Sequence, residues 1–443
     1  MKKLLFGILG ISTLFQAQGQ QAFSLEEAVD YAIVHHADVK NSLVKRQDSE
    51  LEIKEIKTTG LPQINGQFQY TYNAIVPTQL IDAQNFDPTA AEGEVVKFKF
   101  GVPWSGQAGL SINQLIFDAT WLVGLRAAET YRQLADQQVV QSKVTVAENV
   151  TKAYYSALVA QERAELLKLN ISQIDTLRYN TGEMLKQGFV EKLDLDRLSV
   201  QKNNLEAELS KVNNLISLTY QLLKFQMGFD VNQPISLKDK LEDQELKALS
   251  SVAYTEVNPE DRIEYQTLKT NRNLLDLNVE RYQKGALPNV AFSGTLGAGH
   301  SNTTFNPFEK WFGSSALSLI VNIPIYDSGL RKIQVERQRL NIIQLDNTTE
   351  MLRNSFKLEN DQATVSLKNG IETLEVQRRN MTLAEEILRV TKIKYQQGVG
   401  SNLEVVNAEN DNRQAQTNYF AALYDVLVAK VDLDKAHGKL IIE

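Results

Sequence analysis

Four carboxylates near two glycines are the residues of this sequence whose placement could do chemistry. They are Asp194, Asp196, Glu404 and Glu409. Each lies a few helical turns or less beyond Gly188 or Gly398, where two long helical patterns end. Acids near the start of a helix complement the helix dipole in any fold, and this is the simpler interpretation. If symmetry gathers several copies around one opening, the same acids would instead act together, concentrating cations and repelling anions.

No other set of residues indicates catalysis. The sequence lacks Gly-x-Ser-x-Gly, Gly-x-x-x-x-Gly-Lys and His-Glu-x-x-His. It has no cysteine, and none of its four histidines has another histidine three or four residues away. Gly294, Gly297 and Gly299 lie in an alternating strand pattern, where small residues indicate a curved or crowded strand more often than a nucleotide site. We therefore predict that the protein is not an enzyme and holds no cofactor or metal.

The charge and the first residues of the chain indicate where it works. A net charge of −7 over 443 residues argues against a nucleic-acid partner. Residues 1–20 combine Lys2 and Lys3, an apolar run over 4–15 and a small, polar end, which predicts a secretory signal peptide. The alternative is a membrane-spanning helix, but crossing a bilayer takes about 20 apolar residues, and this run is shorter.

The glycines that follow the long helices belong to an internal duplication. Gln187-Gly188 and Gln397-Gly398 are separated by 210 positions, and so are Gly228 and Gly438, each closing a helical pattern. We predict a first structural repeat over 21–229, a crossover over 230–257 and a second repeat over 258–443.

Long helices must position the two glycine hairpins. Ser24 and Glu27 have the spacing of a capping box, so we predict a helix from 25 to about 58. Asp118 and Asp327 can cap helices that continue to Gly188 and Gly398, each of about 69 residues or roughly 100 Å.

Two return helices are predicted over 191–227 and 402–437. In the first, apolar residues recur every seven positions, as knobs-into-holes packing requires: Leu198, Leu205, Val212 and, interleaved, Leu209, Ile216, Leu223. The remaining faces are rich in Lys, Glu, Gln and Asn. Each helix therefore buries narrow apolar stripes against its neighbours and exposes its other faces to water. This arrangement suits a helical tube with a water-filled bore.

Between the helices, each repeat changes to an alternating period that predicts a β-hairpin, at about 62–117 and about 288–325. The first begins with apolar residues at even positions from Ile64 to Tyr72, passes a polar loop over 76–94, and resumes alternation from Val96 to Ile112. The apolar face could meet another sheet in a soluble sandwich or lipid in an outer-membrane barrel. Alternation alone does not choose between them.

Taken together, these features make the sequence resemble the TolC-type outer-membrane efflux proteins from Phe23 to Gly438. The resemblance is carried by Ser-Leu-Glu-Glu-Ala at 24–28, the Leu-Pro pairs that begin the strands, the duplicated glycine hairpins, and the strand-to-helix junctions Ile116-Phe117-Asp118 and Ile325-Tyr326-Asp327. No single one of these motifs establishes the resemblance, but their order along the chain and their duplication do.

The resemblance implies a mixed α and β membrane protein of a Gram-negative outer membrane. It would be a homotrimer whose protomers share one twelve-stranded β-barrel, continued by a long periplasmic α-helical barrel. Such a channel is the exit duct of a tripartite efflux or type I secretion system, together with a periplasmic adaptor and an inner-membrane pump. A soluble periplasmic coiled-coil scaffold or adaptor is the alternative, but it leaves the two aromatic-rich hairpins unexplained.

The resemblance also assigns residues to a periplasmic gate. Tyr395 stands at the tyrosine of the closed tunnel end, and Asp194 at an acidic position that helps hold the tip helices together. Glu404 and Asn407 stand where the best-known member has two rings of aspartate, so the second ring would be uncharged here. Gly400 replaces an arginine that locks that member's gate, which removes the salt bridge to the Asp194 position.

The turns between the long helices are the predicted docking surface for the adaptor. They consist of Gly188, Phe189, Gly398 and Val399, at the tips where the four long helices of a protomer end.

Overall fold

The computed structural model describes residues 21–241 and 257–440. The predicted signal peptide and residues 242–256 of the predicted crossover lie outside the described residues. The first part of the chain contains, in order, β1 (Gln21–Phe23), α1 (Leu25–His35), α2 (Ala37–Thr58), β2 (Gln63–Tyr72), β3 (Thr78–Asp82), β4 (Val95–Lys99), β5 (Trp104–Phe117), α3 (Ala119–Lys186), α4 (Lys192–Met227) and β6 (Ile235–Leu237). The second part contains α5 (Ile263–Lys284), β7 (Asn289–Asn302), β8 (Phe312–Asn322), α6 (Leu330–Gln396) and α7 (Asn402–Ala436).

The chain forms two compact units, and each predicted repeat contributes to both. Among the described residues, the helical unit is made from 21–45, 135–241, 257–268 and 348–440. The sheet unit is made from Arg46–Leu134 and Lys269–Asn347.

The heptad seam predicted for α4 is confirmed in the core of the helical unit. Leu198 and Leu205 are completely buried, and Val212 is nearly so. Leu205 and Val212 pack with Leu167 and Ile174 of α3. These side chains meet because residues seven apart fall on one face of a helix.

The single helix predicted from 25 to 58 is wrong, because the chain breaks at His36. The capping box at its start is confirmed, since Ser24 Oγ accepts from the Glu27 amide and Glu27 Oε2 accepts from the Ser24 amide. The break follows from packing against the end of α4. A Cβ on Gly228 would lie 2.9 Å from both the carbonyl oxygen of His35 and the Cα of His36, so only glycine allows this approach.

A parallel two-stranded sheet joins the start of the described chain to the predicted crossover. β1 pairs with β6 in the register Gln21 to Ile235. The hydroxyl of Tyr154 lies 3.0 Å from the carbonyl oxygen of Phe23 and 2.9 Å from the carboxylate of Asp239. Strands of three residues leave no alternation in the sequence, which is why neither was predicted.

A short 3-10 turn, Pro259–Asp261, precedes the first helix of the second part. Asn258 caps this turn, accepting from the Glu260 amide at 3.2 Å. α5 begins at Ile263, after the buried Arg262.

The main sheet of the sheet unit has four antiparallel strands in the order β2-β5-β7-β8. β5 and β7 join the two repeats at its centre. The predicted polar loop over 76–94 is partly wrong, because it contains β3, which pairs with β4 in a separate two-stranded sheet. The alternation from Val96 to Ile112 therefore belongs to two strands, with Gly101 at positive φ between them. A sequence pattern does not show which partner a strand takes.

Both strand-to-helix junctions carry the predicted aspartate caps. Asp118 accepts from the amides of Thr120 and Trp121 at 2.7 and 3.1 Å. Asp327 accepts from the amides of Gly329 and Arg331 at 3.1 and 3.2 Å. Each carboxylate satisfies two amides at a helix start. One residue lies between β5 and α3, whereas seven residues lie between β8 and α6.

Candidate functional site at the helical hairpins

The two long hairpins turn through the same backbone geometry. Gly188 and Gly398 have φ of 80° and 72°. In each turn the amide after the glycine donates to the carbonyl five residues earlier, at 3.0 Å. A left-handed glycine followed by this hydrogen bond is a common way to end a helix, because it satisfies carbonyls that the helix leaves free.

The tips present apolar side chains to solvent. Phe189 is 74% exposed and Val399 is 78% exposed. A Cβ on either Gly188 or Gly398 would meet no atom within 4 Å. The turns are therefore unobstructed within the protomer and could accept a partner's helix ends, as the sequence predicts for an adaptor.

Tyr395 lies just beneath the tips, inside the helical unit. It is 4% exposed and packs with Leu177, Leu198 and Val405, so both hairpins contribute to its surroundings. The nearby Gly400 is confined as well, because a Cβ there would lie 3.1 Å from the backbone nitrogen of Tyr395.

Asn402, which is not among the predicted gate residues, brings Tyr395 and Asp194 together. Its Nδ2 donates to the backbone carbonyl of Asp194 at 3.0 Å and to the Tyr395 hydroxyl at 3.4 Å. The Asp194 carboxylate acts locally, accepting from the Glu191 amide at 3.4 Å and lying 3.9 Å from Arg197. The link between the hairpins at this position is thus an uncharged amide.

Glu404 and Asn407 lie one turn apart on an exposed face of α7. The Glu404 amide donates to Ser401 Oγ at 3.2 Å, which places this acid in the first turn of the helix. Glu404 complements the helix dipole there, and its side chain is exposed. Asp196 is exposed in the same way on α4.

Glu409 differs from the other acids, and its grouping with residues of an opening is wrong. It is 1% exposed and faces Lys392 of α6, whose Nζ lies 3.3 Å from its Oε2. Burial raises the pKa of Glu409, while the positive charges of Lys392 and Arg413 oppose that rise. The residue is thus part of the packing between α6 and α7.

Glu409 belongs to a row of buried polar residues along the first half of α7. The row consists of Asn402, Glu409, Asn412 and Gln416, each at most 5% exposed. Asn170 of α3 donates to Gln416 at 2.8 Å. The seven-residue spacing of Asn402, Glu409 and Gln416 was the sequence signal that could have identified this row. Asn412 and Gln416 of this row line a groove of about 550 Å³ between α3, α6 and α7.

The two hairpins therefore differ in how their tips are held. In α4, Leu198, Leu205 and Val212 carry an apolar seam along the half that leads from the tip. In α7, Asn402, Glu409, Asn412 and Gln416 are buried over the corresponding half together with Val405 and Ala408, and a larger apolar cluster begins at Phe420. The second hairpin therefore buries more polar groups near its tip than the first.

The main sheet has one polar and one apolar face. Its polar face carries Asn65, Gln67, Gln107, Ser111, Thr295 and Ser314, which line a concavity of about 620 Å³. A Cβ on Gly109 would lie 3.2 Å from the carbonyl oxygen of Leu296, and one on Gly297 would lie 3.1 Å from that of Ala108. Glycine at these two positions keeps the middle of this face free of side chains, which leaves the concavity open.

The opposite, convex face is apolar, and most of its large side chains are exposed. Leu110 and Leu296 are directly paired on it, at 56% and 64% exposed. Leu317 and Leu319 continue it on β8, at 79% and 68% exposed. A water-soluble sheet places its apolar residues against a core, whereas this one exposes them on the outside of its curve.

Among the described residues, none of the helices is long and apolar enough to cross a membrane.

The chain is similar to known outer-membrane channels. Residues 262–439 match the family described as outer membrane efflux protein. The chain is 20% identical to Outer membrane protein TolC of Escherichia coli, over 99% of its own length and 87% of that protein. It is 22% identical to Proteases secretion protein PrtF of Dickeya chrysanthemi, over 95% and 89%. The Campylobacter jejuni CmeC outer membrane channel matches its fold with a TM-score of 0.71 at 16% identity, over 94% of this chain and 86% of that one.

Proposed function

The chain belongs to the TolC-type outer-membrane efflux protein family, and on that basis we propose that it is the outer-membrane exit duct of a tripartite efflux or type I secretion system. It carries substrates from an inner-membrane pump and a periplasmic adaptor across the periplasm and the outer membrane. The relatives named for efflux and for protease secretion support this class of transport.

The observation that carries this proposal is the curvature of the main sheet. Its concave face is lined by amides and hydroxyls and its convex face by exposed leucines. A barrel wall in a bilayer needs this arrangement, with lipid outside and water inside. A soluble periplasmic scaffold does not need this arrangement, and the exposed leucines would make such a protein prone to aggregation in water.

Four strands per protomer require partners. The smallest usual outer-membrane barrels have about eight strands, so one protomer does not close a wall. We propose a homotrimer that shares twelve strands, with the long helices of three protomers forming the periplasmic barrel.

The periplasmic gate lies at the hairpin tips in this assembly. Glu404 forms a ring of three carboxylates, with Asn407 as an uncharged ring one turn further. At about 8 Å and an effective dielectric near 20, each pair of carboxylates repels by roughly 2 kcal/mol before screening by salt. Such a ring prefers cations. Tyr395 and Asp194 hold the tips together through Asn402 rather than by a charged lock.

The adaptor docks on the turns formed by Gly188, Phe189, Gly398 and Val399. Their exposure and the open space around both glycines support this assignment.

The test is fractionation combined with cross-linking of the tips in cells. A single cysteine in place of Phe189 is unique, because the chain has no other cysteine. We expect the protein in the outer membrane as a trimer, and adaptor peptides cross-linked to position 189. A soluble periplasmic pool, or a folded monomer in detergent, would contradict the proposal.

A further inference from the structure

The loop between β7 and β8, residues 303–311, is folded onto the apolar face of the main sheet. Phe305 lies edge-on to Trp104 and Tyr70, with ring centroids 4.9 and 5.7 Å apart. Trp311 lies 5.5 Å from the ring of His300. The strand register places Tyr70, Trp104 and His300 on the same face as Leu110 and Leu296.

Gly106 confirms where the loop is seated. A Cβ on Gly106 would lie 2.8 Å from the Trp311 ring and 2.9 Å from the Tyr70 ring. Gly106 also belongs to this face, paired with Tyr70 and His300. The two rings occupy the space that a side chain at position 106 would take, so the loop covers the convex side of the strands.

Hydrogen bonds within the loop hold its conformation. Trp311 Nε1 donates to the Pro307 carbonyl at 2.9 Å. His300 Nδ1 lies 3.2 Å from the Lys310 carbonyl, and Asn302 donates to the carboxylate of Glu309. The loop is thus fixed at the end of the strands with its tip outward.

That tip carries an aromatic side chain with no cover. Phe308 is 95% exposed, and Phe305 beside it is 64% exposed although its ring contacts two others. Single exposed apolar side chains are common, but Phe308 shares its loop with Phe305 and the loop lies on an exposed apolar face, and an apolar patch of this kind marks a membrane or partner site. The apolar face beneath the loop continues into Leu296 and Leu317, which the proposed function places in lipid.

We propose that loop 303–311 is a membrane anchor that inserts Phe308 into the outer leaflet around the barrel. The inference rests on the proposed function, because the same bilayer must surround the strands. Trp311 then lies at the level of the headgroups, where its ring is half-buried and its N–H is satisfied by Pro307. Lys310 can extend its amine to lipid phosphates in the same layer.

The test uses an environment-sensitive fluorophore on single cysteines, since the chain has none of its own. Phe308→Cys is compared with Leu317→Cys on the convex face and Gln67→Cys on the concave face. Each purified trimer is reconstituted into phosphatidylethanolamine and phosphatidylglycerol vesicles, with ordinary or brominated acyl chains. The Phe308→Cys substitution leaves the fold intact, because the side chain is almost wholly exposed.

We expect label at 308 and at 317 to lose emission roughly twofold or more in brominated lipid, since interfacial groups sit about 5–10 Å into the headgroup and acyl boundary. Label at 67 should not change. Quenching at 317 without quenching at 308 overturns the anchor and leaves the duct standing. Blue-shifted but unquenched emission at 308 also overturns it, because a neighbouring protomer of the trimer would then be the cover. No quenching at 317 overturns the duct itself.

Discussion

Removing the amine of Lys392 should loosen the second hairpin in a manner that depends on pH. Lys392→Met keeps the length of the side chain but leaves the Glu409 carboxylate, 1% exposed, without its partner at 3.3 Å. Breaking a buried pair from one side costs about 3–5 kcal/mol, because the remaining charge stays buried. At about 1.4 kcal/mol per tenfold, amides in the first turns of α7 should exchange two to three orders of magnitude faster.

The pH dependence follows from the direction of the pKa shift. Burial raises the pKa of Glu409, so the folded protein binds a proton that the unfolded chain releases near its ordinary pKa of about 4.3. The stability associated with that proton is intact below about pH 4.3 and is lost as the pH rises through the raised value. Lys392 lowers the pKa of Glu409, so removing the Lys392 amine raises that pKa further. This widens the pH range in which Glu409 is protonated in the folded protein but not in the unfolded chain. The defect should therefore shrink on acidification.

Hydrogen exchange of the reconstituted trimer at several pH values measures this effect locally. Arg389→Met is the matched control, because it lies on the same helix and pairs with Glu386 across an exposed surface. An exposed pair contributes less than about 1 kcal/mol, so the control should change little. The double variant Lys392→Met with Glu409→Gln should recover most of the loss. Equal exchange in Lys392→Met and the control, or a defect that ignores pH, would refute the reasoning.

Three further predictions concern the tips and the core. Gly398→Arg should abolish export and adaptor capture in cells while trimers persist. Gly398→Asn is the control, because asparagine tolerates the left-handed backbone of this position. Export by the arginine variant would mean that the adaptor docks elsewhere. Glu404→Ala should weaken cation selectivity and block by polyvalent cations in single-channel recordings, and unchanged values would leave the ring without a role. Leu205→Ala should destabilise the helical unit by about 2–5 kcal/mol in denaturant titrations, because Leu205 is fully buried and the shorter side chain leaves a cavity. The control Lys211→Ala, at an exposed position of the same helix, should change the stability little.

The long helices and their turns were predictable because the local signals agree over many residues. Asp118 and Asp327 cap their helices, Gly188 and Gly398 end them, and Leu198, Leu205 and Val212 repeat every seven positions. None of these features depends on a distant part of the chain, so a single sequence suffices to find them.

The features that sequence reasoning missed depend on contacts across the fold. The break at His36 follows from the approach of Gly228, about 190 residues later in the chain. β3 lies in a predicted loop, because the sequence pattern joins its partner β4 to the following strand, β5. Glu409 resembles any solvated helix acid until Lys392 is seen opposite it. A sequence pattern predicts which face of a helix is buried. It does not predict which residue of another helix packs against that face.

The pairing of β1 with β6 and of β5 with β7 sets a schedule for folding after export. Gln21 leaves the cytoplasm early but pairs with Ile235, which lies 214 positions later. At about 5–20 residues per second, a chain exported during synthesis waits on the order of ten seconds or more for that partner. Asn113 of β5 likewise waits for Ser293, 180 residues further on. Until then one edge of the first hairpin stays unpaired and its leucines face water, so the half-exported chain is the species that most needs periplasmic chaperones.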